Sequence, residues 1–101
     1  MKNTTMTVKR AGTNLSAGIM VNIQNMAWRV AEELGGESPY NSYFIYSLGG
    51  GPIDVRLGDL LIDEQETDPL TGNATQYRVF GAVEQYFSVY ACIPAEKLLG
   101  S

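Results

Sequence analysis

The stretch IDVRLGDLLIDE, residues 53–64, constrains the fold most. Ile53, Val55 and Leu57 alternate with Asp54 and Arg56, the period-two pattern of a half-buried strand. Leu60, Leu61 and Ile62 then form an apolar run that leads straight into Asp63, Glu64, Glu66 and Asp68. The pattern predicts two strand pieces joined by a bend at Gly58-Asp59, followed by a string of carboxylates.

Other short segments read the same way. Residues 1–10 alternate weakly, with Met6 and Val8 on one face, and Gly12-Thr13-Asn14 signals a turn. YNSYFIYSL (40–48) is rich in aromatic and β-favouring residues and predicts a strand, which Gly49-Gly50-Gly51-Pro52 breaks. DEQETDPLTGNA (63–74) is acidic and then turn-rich, predicting a long connection. YRVFGAVEQYFSVYACIP (77–94) holds two strands around Glu84-Gln85, and the tail EKLLGS reads as a short helical turn or a frayed end. Residues 22–36 are ambiguous. Ile23, Met26, Ala27, Val30, Ala31 and Leu34 fit a helix ended by Gly35-Gly36, whereas Met26, Trp28 and Val30 fit a strand, and periodicity alone slightly favours the helix.

Together these segments predict a mainly β chain: a small antiparallel barrel or sandwich with a long acidic loop and little helix. With 101 residues the chain is read as one domain spanning 1–101. The net charge of −4 and scattered Lys and Arg disfavour specific nucleic-acid binding and docking to an anionic membrane. No apolar run approaches the ~20 residues of a bilayer span, and MKNTTMTVKR lacks the apolar core of a secretory signal. The single cysteine, Cys92, is read as a small buried residue in a reducing compartment.

Chemistry is hard to place on this chain. Histidine, the commonest general base, is absent; Ser16, Ser42 and Ser88 therefore have no such partner, and no GxSxG turn occurs. The triple glycine 49–51 lacks the GK[ST] of a phosphate loop. Asp63, Glu64, Glu66 and Asp68 offer oxygen ligands for Ca²⁺, but the glycine and terminal glutamate of an EF-hand loop are missing, so the expectation is a solvated, mobile loop. Asn3, Asn14 and Asn73 each open an Asn-x-Ser/Thr triplet, which carries no weight without a signal peptide. No catalytic residue, metal ligand or cofactor is expected. Tyr40, Tyr43, Phe44 and Tyr46 are explained by core and inter-subunit packing. Tyr43 and Ile45 face opposite to Phe44 and Tyr46, so one set lies outside the core unless a second surface covers it. Tyr40, Tyr43 and Tyr46 are the candidate protein-interface residues.

In order, TVKR (Thr7–Arg10), Trp28, Tyr43–Tyr46, DVRLGDLLID (Asp54–Asp63), Thr71–Ala82 with its YRVFGA, and Ser88–Pro94 resemble the small head–tail connector proteins of long-tailed bacteriophages, the head-closure or stopper family. The match covers most of the chain in short, degenerate motifs, of which Arg56-Leu57-Gly58-Asp59 is the most specific. The resemblance implies a tight bend in which Gly58 takes a positive φ and Asp59 bonds nearby amides, with the next residues pairing to the YRVFG strand. It also implies a strand over 26–33, and the expectation follows it there. Its functional implication is a structural virion protein of the phage neck, made in the host cytoplasm. Such a protein forms a homo-oligomeric ring against portal or adaptor, joins head to tail or tail-terminator protein, and helps retain packaged DNA. Residues 63–68 would line the tunnel or meet a neighbour at the rim. The alternatives are an adaptor or tail-terminator protein of the same virion, or a soluble ligand-binding barrel.

Overall fold

Alternating burial builds the first strand: Thr4, Met6 and Val8 point inward with 6%, 0% and 1% of their surface exposed. The computed structural model describes residues 2–35, 41–48, 53–86 and 90–98. Its strands are β1 (Lys2–Arg10), β2 (Thr13–Asn25), β3 (Ser42–Ser47), β4 (Leu60–Thr67), β5 (Ala74–Val79), β6 (Glu84–Tyr86) and β7 (Tyr90–Leu98), with one helix, α1 (Trp28–Glu33). Every strand pair is antiparallel. The order β3-β2-β1-β4-β5-β7 closes on itself through a β3–β7 pairing, giving a six-stranded barrel with β6 added beside β7. Closure leaves few unpaired edges, the usual answer to edge-strand aggregation.

The barrel interior is filled by side chains. Met6, Val8, Val21, Ile45, Leu61, Val79 and Ile93 are each at most 2% exposed, and Tyr77 joins them. Each such aliphatic side chain contributes roughly 1.5–3 kcal/mol through burial. Residues 53–56 are not a strand: Val55 is buried, Ile53 packs against the core, and the Gln85 side-chain amide donates to the Ile53 carbonyl at 3.1 Å. Alternation therefore marked Ile53 and Val55 correctly but not Leu57, which is 69% exposed in the turn, and the backbone pairs with nothing as a strand.

Four expectations are corrected. The strand over 26–33 is a helix, because β2 ends at Asn25 and α1 buries Ala31 while Trp28, Arg29, Glu32 and Glu33 stay exposed. Gly35 closes the helix at φ 87°, its N–H donating to the Glu32 carbonyl at 3.1 Å, a left-handed cap that a strand would not need. The long acidic connection is half strand, since residues 63–67 belong to β4 and Ala74 opens β5, leaving Asp68–Asn73 to connect them. The break in 77–94 does not fall at Glu84-Gln85, which is itself in β6; β5 ends at Val79 and β7 starts at Tyr90. The tail residues Glu96–Leu98 complete β7 rather than a helical turn.

Candidate functional site: a braced bend and an outer aromatic face

The bend at Gly58-Asp59 is built as the sequence implied, with a partner it did not disclose. Gly58 has φ 90°, its N–H donates to the Val79 carbonyl at 2.8 Å, and the Val79 N–H returns to the Asp59 carbonyl at 2.9 Å. Asp59 accepts from the Arg56 N–H at 2.9 Å, closing the turn. Arg10, from the end of β1, donates to both oxygens of Asp59, Nε at 3.0 Å and Nη2 at 2.8 Å. The same guanidinium reaches Asp54 at 3.1 and 3.3 Å. Two-point pairing of this kind fixes geometry as well as energy. It holds the Asp59 and Asp54 carboxyls below the usual carboxylate range and raises Arg10 further.

A Cβ added at Gly58 meets nothing within 4 Å, so the cost of a side chain there is purely conformational. Gly58→Val is expected to destabilise the domain by more than about 1 kcal/mol, with Gly58→Ala losing less because it is not β-branched. Thermal melts of the two variants check this, and an unchanged Gly58→Val midpoint would contradict it.

The acidic residues are consumed locally. Asp63 is 1% exposed and accepts from Thr4 Oγ1 at 2.8 Å, Lys2 Nζ at 2.9 Å, and the N–H groups of Gln65 at 2.9 Å and Glu66 at 3.2 Å. Burial pushes its acidity one way, but these donors outweigh it and hold the carboxyl below its ordinary value. Glu64 accepts from the Gly18 N–H and the Thr7 hydroxyl, both at 2.7 Å, which lowers its pKa. Glu66 pairs with Lys2 at 3.2 Å and lies 4.0 Å from Lys97. Asp68 caps the turn through the Leu70 N–H at 2.8 Å. Asp63 therefore presents no charge to a tunnel or a neighbour. Among the described residues no group of three or more His, Cys, Asp or Glu is placed to hold a metal ion.

The aromatic residues divide between the two faces of β3. Tyr43 packs against the core on the inner face of β3, edge-on to Tyr77 with ring centroids 5.7 Å apart. Tyr40 lies outside the described residues. Phe44 and Tyr46 take the outer face, 6.2 Å apart, and Tyr46 continues to Tyr90 on β7 at 5.9 Å. On one side of this trio a cleft of about 360 Å³ runs between α1 and the sheet, lined by Val30, Leu34, Phe44, Tyr46, Cys92 and Pro94 among others. On the other side Asn3, Asn22, Gln24 and Leu48 border a shallower groove of about 520 Å³. Cys92 is half-buried rather than fully buried, and burial raises its thiol pKa.

The register, Tyr46 opposite Cys92 and Asn22, is what assembles this face. Alternation within 40–48 identifies Phe44 and Tyr46 as one set, but Tyr90 joins them only through the β3–β7 closure. Trp28, Leu48 and Met20 are also about half exposed, at 50%, 48% and 58%, and nothing local in the sequence marks them as surface residues. Comparison with protein-family models, with curated proteins and with solved structures finds no match to this chain.

Proposed function

We propose that this chain is a structural protein of a phage neck, a head-closure or stopper subunit that assembles as a ring between portal or adaptor and tail. The observation that carries the reading is the partly exposed aromatic trio Phe44–Tyr46–Tyr90 on the outer wall of a small, filled barrel. Aromatic residues concentrate at protein interfaces, and a filled interior leaves the outer wall as the place for recognition. A second observation supports the resemblance itself. Arg10 of TVKR and Asp59 of RLGD, two motifs far apart in sequence, grip each other with two hydrogen bonds. One departure stands against it: Trp28, which the resemblance puts in a strand, sits on α1.

On this reading the protein works without catalysis or cofactor, through many copies of one weak contact. Each small interface loses several kcal/mol to association entropy, whereas a portal ring presents sites at fixed spacing and raises the effective concentration of each neighbour. The protein is made in the host cytoplasm and ends in the virion. The test is assembly in solution with the portal or adaptor of the phage the reading assigns it to. Sedimentation should give a monomer or weak oligomer for the protein alone, and electron microscopy should show rings only after that partner is added. Absence of binding to portal, adaptor and tail proteins alike would overturn the reading.

A further inference from the structure

One row of residues crosses the outer wall beside α1. Tyr46 on β3 lies opposite Cys92 on β7, and Cys92 lies opposite Glu84 on β6. Directly opposed residues point to the same face of a sheet, so ring, thiol and carboxylate share the outer face. Neighbouring strands sit ~4.8 Å apart, which puts the Tyr46 and Glu84 backbones ~10 Å from each other with one small side chain between them. Phe44 and Pro94, the pair two residues along the same ladder, extend that face. Val30 of α1 and Leu34 at its end cover the hollow from the other side.

The resulting cleft of about 360 Å³ has the build of a small-molecule site. Such sites hold roughly 300–1,000 Å³, are mostly apolar, and carry a few polar groups that orient the ligand. Glu84 is the one charged residue among the described ones that line this cleft. Its sign selects the ligand. A carboxylate repels an anion and loses water to a neutral molecule without return, whereas a cation compensates that loss. Midway along the row a cation is ~5 Å from either strand, inside the ~6 Å over which an aromatic face attracts positive charge. Phe44, its centroid 6.2 Å from that of Tyr46 and its plane tilted by 40°, adds a second aromatic wall.

We propose that this cleft binds a small organic ammonium. The cation sits between Glu84 and the Tyr46 ring, and its apolar body lies against Phe44, Pro94 and Val30. The net charge of −4 raises the local concentration of cations around the chain. The site goes beyond the neck reading and stands without it.

Cys92, the only cysteine, lies within the row and reports occupancy. Benzylammonium, benzyl alcohol and benzoate carry the same ring and differ in charge. Each is titrated into the wild-type protein at neutral pH, with amide shifts in NMR giving affinity and N-ethylmaleimide labelling of Cys92 giving location. Benzylammonium should bind about tenfold more tightly than benzyl alcohol, the joint effect of a cation–π contact and an exposed ion pair. Benzoate should bind more weakly than either. Saturating benzylammonium should slow Cys92 labelling severalfold. Glu84→Gln keeps the shape of an exposed side chain, so it should melt as wild type does and lose the preference for the amine. Tyr46→Leu keeps an apolar wall and should weaken the amine more than the alcohol. No binding of benzylammonium, equal binding of all three probes, a preference that survives Glu84→Gln or Tyr46→Leu, or binding that leaves Cys92 labelling unchanged would each overturn the proposal.

Discussion

Asp63→Ala is expected to cost the barrel about 3 kcal/mol or more, since truncating one partner of a buried, hydrogen-bonded charge strands the others. The Thr4 hydroxyl and the Gln65 and Glu66 N–H groups lose their acceptor together, and Lys2 keeps only Glu66. The site also organises the sheet. Ile62 pairs with Gln76 and Thr67 with Ala74, so residues 63–66 bulge opposite Thr75 alone, and the Asp63 carboxylate holds that bulge through two backbone amides. Asp63→Asn keeps an acceptor oxygen but not the charge, and should fall between alanine and wild type.

The same residue sets a pH dependence. Asp54, Asp59, Asp63 and Glu64 all ionise more readily in the folded state than their ordinary values. The unfolded chain then takes up protons first as pH falls through about 4, so stability is full above that point and declines below it as the folded carboxylates protonate. Lys2 runs the other way. Asp63 and Glu66 overcome its desolvation and raise its pKa, so its contribution is full below about 10.4 and lost above. Urea unfolding of wild type and Asp63→Ala from neutral to acid pH checks both points. The variant should start less stable and show a shallower acid decline. Equal neutral stability, or parallel acid slopes, would contradict the role given to Asp63.

On the neck reading, Tyr46→Asp is expected to leave the fold standing and abolish joining to the partner ring. Tyr46 points away from the core and borders both outer hollows, so its loss removes ring contacts with Phe44 and Tyr90 but opens no interior cavity. A melting midpoint within a few degrees of wild type follows for a surface change of ~1 kcal/mol. At an interface the same carboxylate must be stripped of water against aromatic rings, which costs several kcal/mol per copy, or more than a hundredfold in each contact. Multivalency magnifies the loss around the ring. Tyr46→Phe keeps the ring and should assemble. Pull-down on the portal with both variants decides the matter, and normal assembly of Tyr46→Asp would show that the trio is not the interface.

What the sequence disclosed was local. Gly58-Asp59 announced its bend because a glycine and an aspartate next to each other have few other uses between apolar runs. The brace came from Arg10, 49 positions away, and no spacing rule points to it. The acidic stretch 63–68 read as a solvated loop because strands seldom carry so many carboxylates. Lys2 and Thr4, about 60 positions upstream, turn Asp63 into a structural clamp, and that pairing exists only once β1 lies beside β4. In 26–33 the apolar spacing and Gly35 pointed to the helix that forms, and the resemblance argued the wrong way. On β3, alternation separated Tyr43 from Tyr46 but not inside from outside. Tyr77 on β5 settles that by meeting Tyr43 within the core.

The most direct measurement of the central claim is electron microscopy and infectivity of particles from a phage in which this chain alone is deleted. The neck reading predicts heads that have packaged DNA but carry no tails, a fraction emptied of DNA, free tails beside them, and infectivity restored by the chain supplied in trans. Infectious, tailed particles at wild-type yield would contradict it.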